Sequence, residues 1–355
     1  MRGELLVKLA DEIGVRRCGT EGAVRAADAI ADAFRELGLE PTFQEFPLLR
    51  FDPEEPELWV EGERWQAGPC MYAHPGSCEG PVERLADGRW AVGEGRLAPS
   101  IFGRGPIPFT ALPSTGGHLA TRPTAFLSRA DNDRLREGMH ARLVVRGEWV
   151  GGITDRNVVA RIDGASPERI VVGAHYDSVW NGPGAIDNAT GVEGLWRVAE
   201  RFAGLQLSRS LELVAFGAEE IGLIGARQYI VDARERGSLG DVVGMVNLDC
   251  IGHGEKLELL CSPPALLDRA RVAVEGLGLA ARYEIVTELG EAAGTDHVPF
   301  VEAGVPAMSI LHFPYEQYHL PEDSTALVQE ELLADAVDLA AALVESQLAA
   351  PVARA

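Results

Sequence analysis

Lysine is nearly missing from this 355-residue chain: only Lys8 and Lys256 occur, and arginine supplies almost all the positive charge. Positive charge itself is scarce. Acidic residues outnumber basic ones 54 to 32, for a formal net charge of −22. Such a surface repels nucleic-acid phosphates and anionic lipid, so neither nucleic acid nor a membrane is an expected partner. No run is apolar and long enough to cross a bilayer. The opening stretch "MRGELLVKLADEIGVRR" mixes charges into a helix-period pattern and has no continuous apolar core, so no signal peptide and a cytoplasmic location are expected. The five cysteines, Cys18, Cys70, Cys78, Cys250 and Cys261, are odd in number and form no CxxC pair. Reduced thiols are the expectation, with Cys70 and Cys78 the pair that an exported protein could oxidise.

What is present is apolar mass and order. With 46% hydrophobic residues the chain can bury a large core, in one large domain or two. Residues 20–37 read as a helix, with Thr20 placed to cap it, Ala23, Ala27, Ile30, Phe34 and Leu37 on one face, and Gly38 after the last turn. An extended segment follows at Phe43 to Leu49. From about Asp52 to Trp149 glycine and proline become dense and apolar runs short, as in "GRGPIPFTALPSTGG", which predicts a small β-rich insertion with one helix near Arg129 to Gly138. After "DRNVVARIDG" apolar strands at Ile170–Ala174, Leu211–Phe216, Val242–Leu248 and Pro306–Leu311 alternate with helical periods. One of these carries Val192, Leu195, Trp196, Ala199 and Phe202 on a single face. This alternation predicts an α/β three-layer sandwich around a mixed, largely parallel sheet, closed by a long amphipathic helix from about Ser324 to Leu348. The domain expectation is therefore a discontinuous catalytic domain, 1–52 with 151–355, interrupted by an inserted domain at 53–150.

Within "VAFGAEEIGL" a strand-like apolar run ends in two adjacent carboxylates, Glu219 and Glu220, where a bare charge is costly to desolvate. Alternation near a strand end sends consecutive side chains apart, so the two need not share one task. Other strand ends carry similar chemistry. "VVGAHYDS" ends in His175 and Asp177, "GMVNLD" in Asp249, and "SILHFPYEQYH" leads to His319, while the Gly-rich "GPGAIDNATG" supplies Asp187. Taken singly, such an Asp is more often a helix cap and such a His a satisfied polar residue. Jointly, five chain-distant acids and imidazoles at the carboxyl edge of one sheet point to a metal site. Imidazole and carboxylate without thiolate suit zinc, with manganese or cobalt able to substitute. One metal needs about three protein ligands, so five candidates point to two ions sharing one carboxylate.

"GAHYDS", "GAIDNATG", "AEEIGLIGA", "NLD", "GTDHVPF" and "YHLPEDS" occur in the order and spacing of the co-catalytic di-zinc aminopeptidase family, which the chain resembles from about Asn157 to its end and over its N-terminal helix. That family also holds glutaminyl cyclases, glutamate carboxypeptidases and the transferrin-receptor branch. "RPTAFLSRADNDRLREG" resembles the end of a protease-associated domain. The resemblance implies that His175 and Asp249 hold one zinc, Glu220 and His319 the other, and Asp187 bridges them. It implies Glu219 as general base, Asp177 as the carboxylate orienting His175, and Tyr318 as the phenol stabilising the oxyanion. It further implies a cis peptide bond between Asp187 and Asn188.

The activity so implied is release of N-terminal residues from peptides with a free N-terminus. A single-zinc glutaminyl cyclase, a carboxypeptidase or dipeptidase of the same family, and a non-catalytic receptor-like protein are the alternatives. The intact ligand set and base argue against the first and last. Asp296 and His297 either line the substrate pocket, with Phe300 beneath, or begin a helix that Asp296 caps. Cys250, next after Asp249, is expected to face the core by alternation. His74, His118 and His140 are expected at the surface, and His253 and His312 lie outside the family pattern. Oligomeric state is not legible.

Overall fold

A computed structural model describes residues 3–70, 73–86, 88–99, 122–287 and 294–348. The chain forms two compact units. One comprises Met1–Phe46, Thr154–Pro314 and Pro321–Ala355, and the other Pro47–Ile153 with Tyr315–Leu320. Composition alone puts the joins at 52/53 and 150/151 and leaves Tyr315–Leu320 with the larger unit. Texture records residue types, whereas the units follow contacts between segments far apart in sequence.

The larger unit is built on an eight-stranded sheet. In order across it lie Thr42–Pro53, Gly147–Ile162, Leu207–Phe216, Gly164–His175, Val242–Leu248, Ala307–Phe313, Lys256–Ser262 and Ile285–Val286. Leu207–Phe216, Gly164–His175, Val242–Leu248 and Ala307–Phe313 run parallel to one another, while Gly147–Ile162 and Lys256–Ser262 pair antiparallel with the first and last of these four. The sheet is mixed with a parallel centre, as the alternation of strand and helix signals implies.

Both faces of this sheet are buried, and the period of two shows it. Ile170 and Val172 pack in one apolar cluster with Leu195, Phe202, Ile30, Phe34 and Leu343. Val171 lies in the other, with Phe216, Tyr229, Ile230 and Phe300. Helices Glu21–Glu36, Thr190–Phe202, Pro264–Gly276 and Glu330–Leu348 supply the first cluster, and Ile224–Glu235 with His297–Glu302 the second. Three layers result, because strands apolar on both faces need cover on both. Two helix ends differ from expectation. The Thr20 hydroxyl donates to the Arg17 carbonyl at 2.6 Å instead of capping its helix. The last helix begins at Glu330, because Thr325–Leu327 forms a 3-10 turn and Val328 is extended.

The smaller unit holds a second eight-stranded sheet, with strands between Glu57 and Val145. Its one helix among the described residues, Arg129–Arg134, is capped by Ser128, whose Oγ accepts the Asp131 N–H at 3.0 Å. It stops short of Gly138 because Leu135 is extended. "GRGPIPFTALPSTGG" and His118 lie outside the described residues. None of the five cysteines forms a disulfide, and no described helix is long and apolar enough to cross a membrane.

Leu213 sits fully buried in the mixed sheet, paired with Ala160 on one side and Val172 on the other. Leu213→Ala should lower unfolding free energy by about 2–5 kcal/mol, the range for a core cavity that relaxes only partly. Urea denaturation of the variant beside the parent chain measures this.

Candidate metal centre

Parallel strands bring their carboxyl ends to one edge, and pairing fixes which residues meet there. His175 is the last residue of its strand and pairs with Phe216, the last of the neighbouring strand. Gly173 pairs with Asn247, two residues before Asp249. From these ends short irregular segments carry the polar groups inward. Ala218, Leu223 and Cys250 all take positive φ (56°, 60° and 49°), so the chain turns sharply just beyond two strands.

His175 is the hub. Its Nε2 lies 3.1 Å from an Asp187 oxygen, 3.5 Å from Asp249 and 3.9 Å from Glu219. Its Nδ1 lies 3.6 Å from the Asp177 carboxylate and 3.2 Å from the Asp177 carbonyl. Donor atoms of His175, Asp187 and Glu220 lie within 4.8 Å of one another, as do those of His175, Glu219 and Asp249. Glu219 and Glu220 thus both reach the imidazole, contrary to the divergence that strand alternation implies. The strand ends at Phe216, and a turn follows in which the Glu219 carbonyl accepts from Gly222 and Leu223 at 2.8 Å. Asp177 does more than face His175. Its two oxygens accept the N–H groups of Glu219 at 3.0 Å and Glu220 at 3.3 Å, fixing that turn from below.

Asp187 comes from an irregular segment. Its peptide bond to Asn188 is cis, as the resemblance implies. The Asn188 side chain accepts from Gly191 at 3.0 Å and Cys250 at 3.2 Å and donates to the Leu248 carbonyl at 2.9 Å, which ties this segment to the one bearing Asp249. Gly184 has φ 52°, and a Cβ there would stand 2.1 Å from the Asp187 carbonyl oxygen. Only glycine fits.

A model of peptidase family M28 matches residues 157–344. The chain belongs to peptidase family M28. Among relatives, aminopeptidase YwaD of Bacillus subtilis is 25% identical over 95% of this chain and 82% of its own length. Leupeptin-inactivating enzyme 1 of Streptomyces exfoliatus is 34% identical over 44% of this chain and 35% of its own. Among solved structures, BSAP, a zinc aminopeptidase from Bacillus subtilis, aligns with TM-score 0.74 and 24% identity over 97% of this chain and 93% of that one. A glutaminyl cyclase from an Acidobacteriales bacterium aligns with TM-score 0.59 and 16% identity over 97% and 94%. At such identities these two likenesses speak to the fold.

In this M28 peptidase Cys250 stands beside the centre without having been expected there, and Asp296, for which the sequence offers either a pocket-lining or a helix-capping place, interacts with the same acids. The Cys250 thiol lies within 4.8 Å of Asp187 and Asp249 oxygens, not against the core, because its left-handed backbone breaks the strand alternation. Burial, reinforced by Asp187, Asp249 and Asp323, pushes that thiol well above its ordinary range, so it stays protonated. Asp296 is fully buried, and both its oxygens lack a hydrogen-bond partner; it does not cap the helix at His297. His297 accompanies it in the interior, 2.7 Å from the Thr295 hydroxyl, and burial lowers it to about 4. Phe300 belongs to the core, stacked on Tyr229 at 5.4 Å. His74 and His140 are exposed, as expected. His253 is half-buried, and His312 is buried and accepts from Gly252 at 3.2 Å. Tyr318 and His319 lie on Tyr315–Leu320 of the smaller unit. Their rings stack at 3.8 Å, and His319 is buried with φ 58°.

Charge crowding dominates the electrostatics. Burial pushes the Glu219 carboxyl well above its ordinary range; His175 opposes this, and Asp296, Glu220 and Asp249 add to it. Asp296 is raised in the same way, by burial and by Asp249 and Asp177 against His175. Burial favours a neutral His175 ring, but Glu219, Asp249, Asp177 and Asp187 outweigh it and hold the ring well above 6.5. All three groups bind protons more tightly folded than unfolded. The stability they confer is therefore present at low pH and lost as pH rises through their folded-state values. Chelator-treated protein should accordingly show a melting temperature that falls as pH is raised from about 6.5 into the alkaline range. A flat or rising profile by scanning calorimetry contradicts this charge balance.

Proposed function

We propose that this M28 peptidase is a zinc-dependent aminopeptidase that removes N-terminal residues from peptides at a two-ion centre. One observation carries the reading: an imidazole, His175, buried among the carboxylates of Asp177, Asp187, Glu219, Glu220 and Asp249. The residues fit such ions. The donors are nitrogen and oxygen, the arrangement suits borderline and hard divalent cations, and the unpartnered Asp296 oxygens add negative charge that a cation would balance. His175 and Asp249 would hold one ion, Glu220 and His319 the other, with Asp187 shared. The assignments of His319 as ligand and Tyr318 as oxyanion donor rest on the motif "YHLPEDS". Manganese or cobalt could replace zinc.

Zinc held there would lower the pKa of a coordinated water and polarise the scissile carbonyl. Glu219 takes a proton from the attacking water and returns it to the leaving amine. Asp177 holds the Glu219–Glu220 turn and faces the His175 ring, which keeps base and ligand in register. Tyr318 would donate to the oxyanion. A free α-amine is attracted by the surrounding acids, which supports cleavage from the N-terminus. The smaller unit, by the likeness of "RPTAFLSRADNDRLREG", is proposed as a protease-associated-like domain.

Turnover of aminoacyl-anilides, with N-blocked peptides refused, is the expected result. Cleavage of N-blocked peptides from the C-terminus would favour the carboxypeptidase alternative, and cyclisation of N-terminal glutamine the cyclase. Elemental analysis of dialysed protein should give about two divalent ions per chain. Glu219→Gln should lose at least about 100-fold in kcat through loss of proton transfer while keeping the metal content of the parent chain. A variant that keeps most of its activity would remove Glu219 from the role of base.

A further inference from the structure

Arg16 is fully buried, and its guanidinium is spent on the main chain. Nε donates to the Tyr176 carbonyl at 2.7 Å, Nη2 to Gly184 at 2.8 Å, and Nη1 to Gly14 at 3.0 Å, Leu9 at 3.3 Å and Pro183. Three of these carbonyls flank site residues: Tyr176 precedes Asp177, and Pro183 and Gly184 lead into Asp187. The Arg16 main chain is tied to the same stretch, donating to Ser178 Oγ at 3.0 Å and accepting from the Ser178 N–H at 3.4 Å.

Asp323 grips the same segment with the opposite chemistry. Its two carboxylate oxygens accept the N–H groups of Ile186 at 2.8 Å and Asp187 at 3.0 Å, and its carbonyl accepts from Ala185 at 3.3 Å. The segment needs outside partners. Gly184 is left-handed, and Asp187 and Asn188 have φ/ψ of −114°/86° and −142°/43°, so regular helix or strand bonding does not hold it. Burial lowers Arg16 to about 10, against the pull of Asp323, Asp177, Asp187 and Glu220, so it remains charged at neutral pH. Two buried charges are costly in a core that apolar residues could fill. Their placement suits a directional task.

We propose that Arg16 and Asp323 are positioning residues forming a two-sided main-chain clamp, carbonyls on one side and N–H groups on the other, that aims Asp187 and so sets the metal affinity of the centre. This rests on the reading of Asp187 as a metal ligand. The N-terminal segment and the segment after His319, remote in sequence, thereby act on one loop.

The test uses the full chain, freed of metal and titrated with cobalt(II), read by visible absorption and by melting temperature with and without cobalt. Asp323→Asn keeps the shape of the side chain but replaces one of its two acceptor oxygens with a donor. Arg16→Gln removes the reach to several carbonyls at once, and Arg16→Lys keeps the charge and part of the reach. Asp323→Asn and Arg16→Gln should each weaken cobalt binding at least about tenfold, alter the absorption bands and shrink the cobalt-induced rise in melting temperature. Arg16→Lys should recover part of the loss. Acting on one loop, the two sites should be non-additive, the double variant losing little more than the worse single one. If Arg16→Gln does not fold, Asp323→Asn and Arg16→Lys decide the matter. Folded Asp323→Asn with the parent's cobalt affinity and bands overturns the clamp, as does an equal drop in melting temperature with and without cobalt, which marks mere scaffolding. Asp187→Asn separates the two levels. Parental cobalt binding by that variant overturns the ligand reading itself, whereas its loss alongside normal Asp323→Asn overturns only the clamp.

Discussion

Carboxylates of like charge crowd one buried imidazole at the carboxyl edge of a parallel sheet, and much of the local structure answers that constraint. Glu219 and Asp296 are held above their ordinary range by burial and by neighbouring acids, and Glu219, Asp249, Asp177 and Asp187 raise the His175 ring well above its ordinary range. Such a cluster is unfavourable without a cation. It persists because the segments that carry several of its members are fixed by bonds that do not involve the others' charge. The Asp177 oxygens take main-chain N–H groups, Asn188 ties two loops, and Asp323 accepts from the loop that carries Asp187.

The sheet makes this rigidity possible. Ile170 and Val172 face one apolar cluster and Val171 the other, so the strand that ends in His175 is packed on both sides. A strand held in this way leaves its last residue little freedom. The neighbouring parallel strands set their ends at matching heights, and the turns beyond them are short. Precision at the site follows from register in the core.

Periodic elements were legible from residue types alone. Ala23, Ala27, Ile30 and Phe34 lie buried on one helix face as their spacing predicts, and Val192, Leu195, Ala199 and Phe202 do the same. Where periodicity stops, inference from neighbours failed. Cys250 and the pair Glu219–Glu220 are misplaced by strand alternation because the strands end at Leu248 and Phe216 and the backbone then turns left-handed. Arg16 sits in "GVRRCGT", which has no recognisable pattern, and nothing in "YHLPEDS" sets Asp323 apart from its acidic neighbour Glu322. The partners that tie them to the site are main-chain groups some 160 and 136 residues away, which no local window can reveal.

The three-layer architecture, the family pattern and the identity of the acids and imidazoles at the strand ends follow from residue order, because periodicity and motif order are local properties of the chain. Tertiary structure alone decided which of those groups meet His175, how the irregular segments between them are held, and that Tyr315–Leu320 groups with the smaller unit. These depend on strand register and on hydrogen bonds between distant main-chain atoms. Side-chain identity does not encode them, since every residue but proline offers the same N–H and C=O.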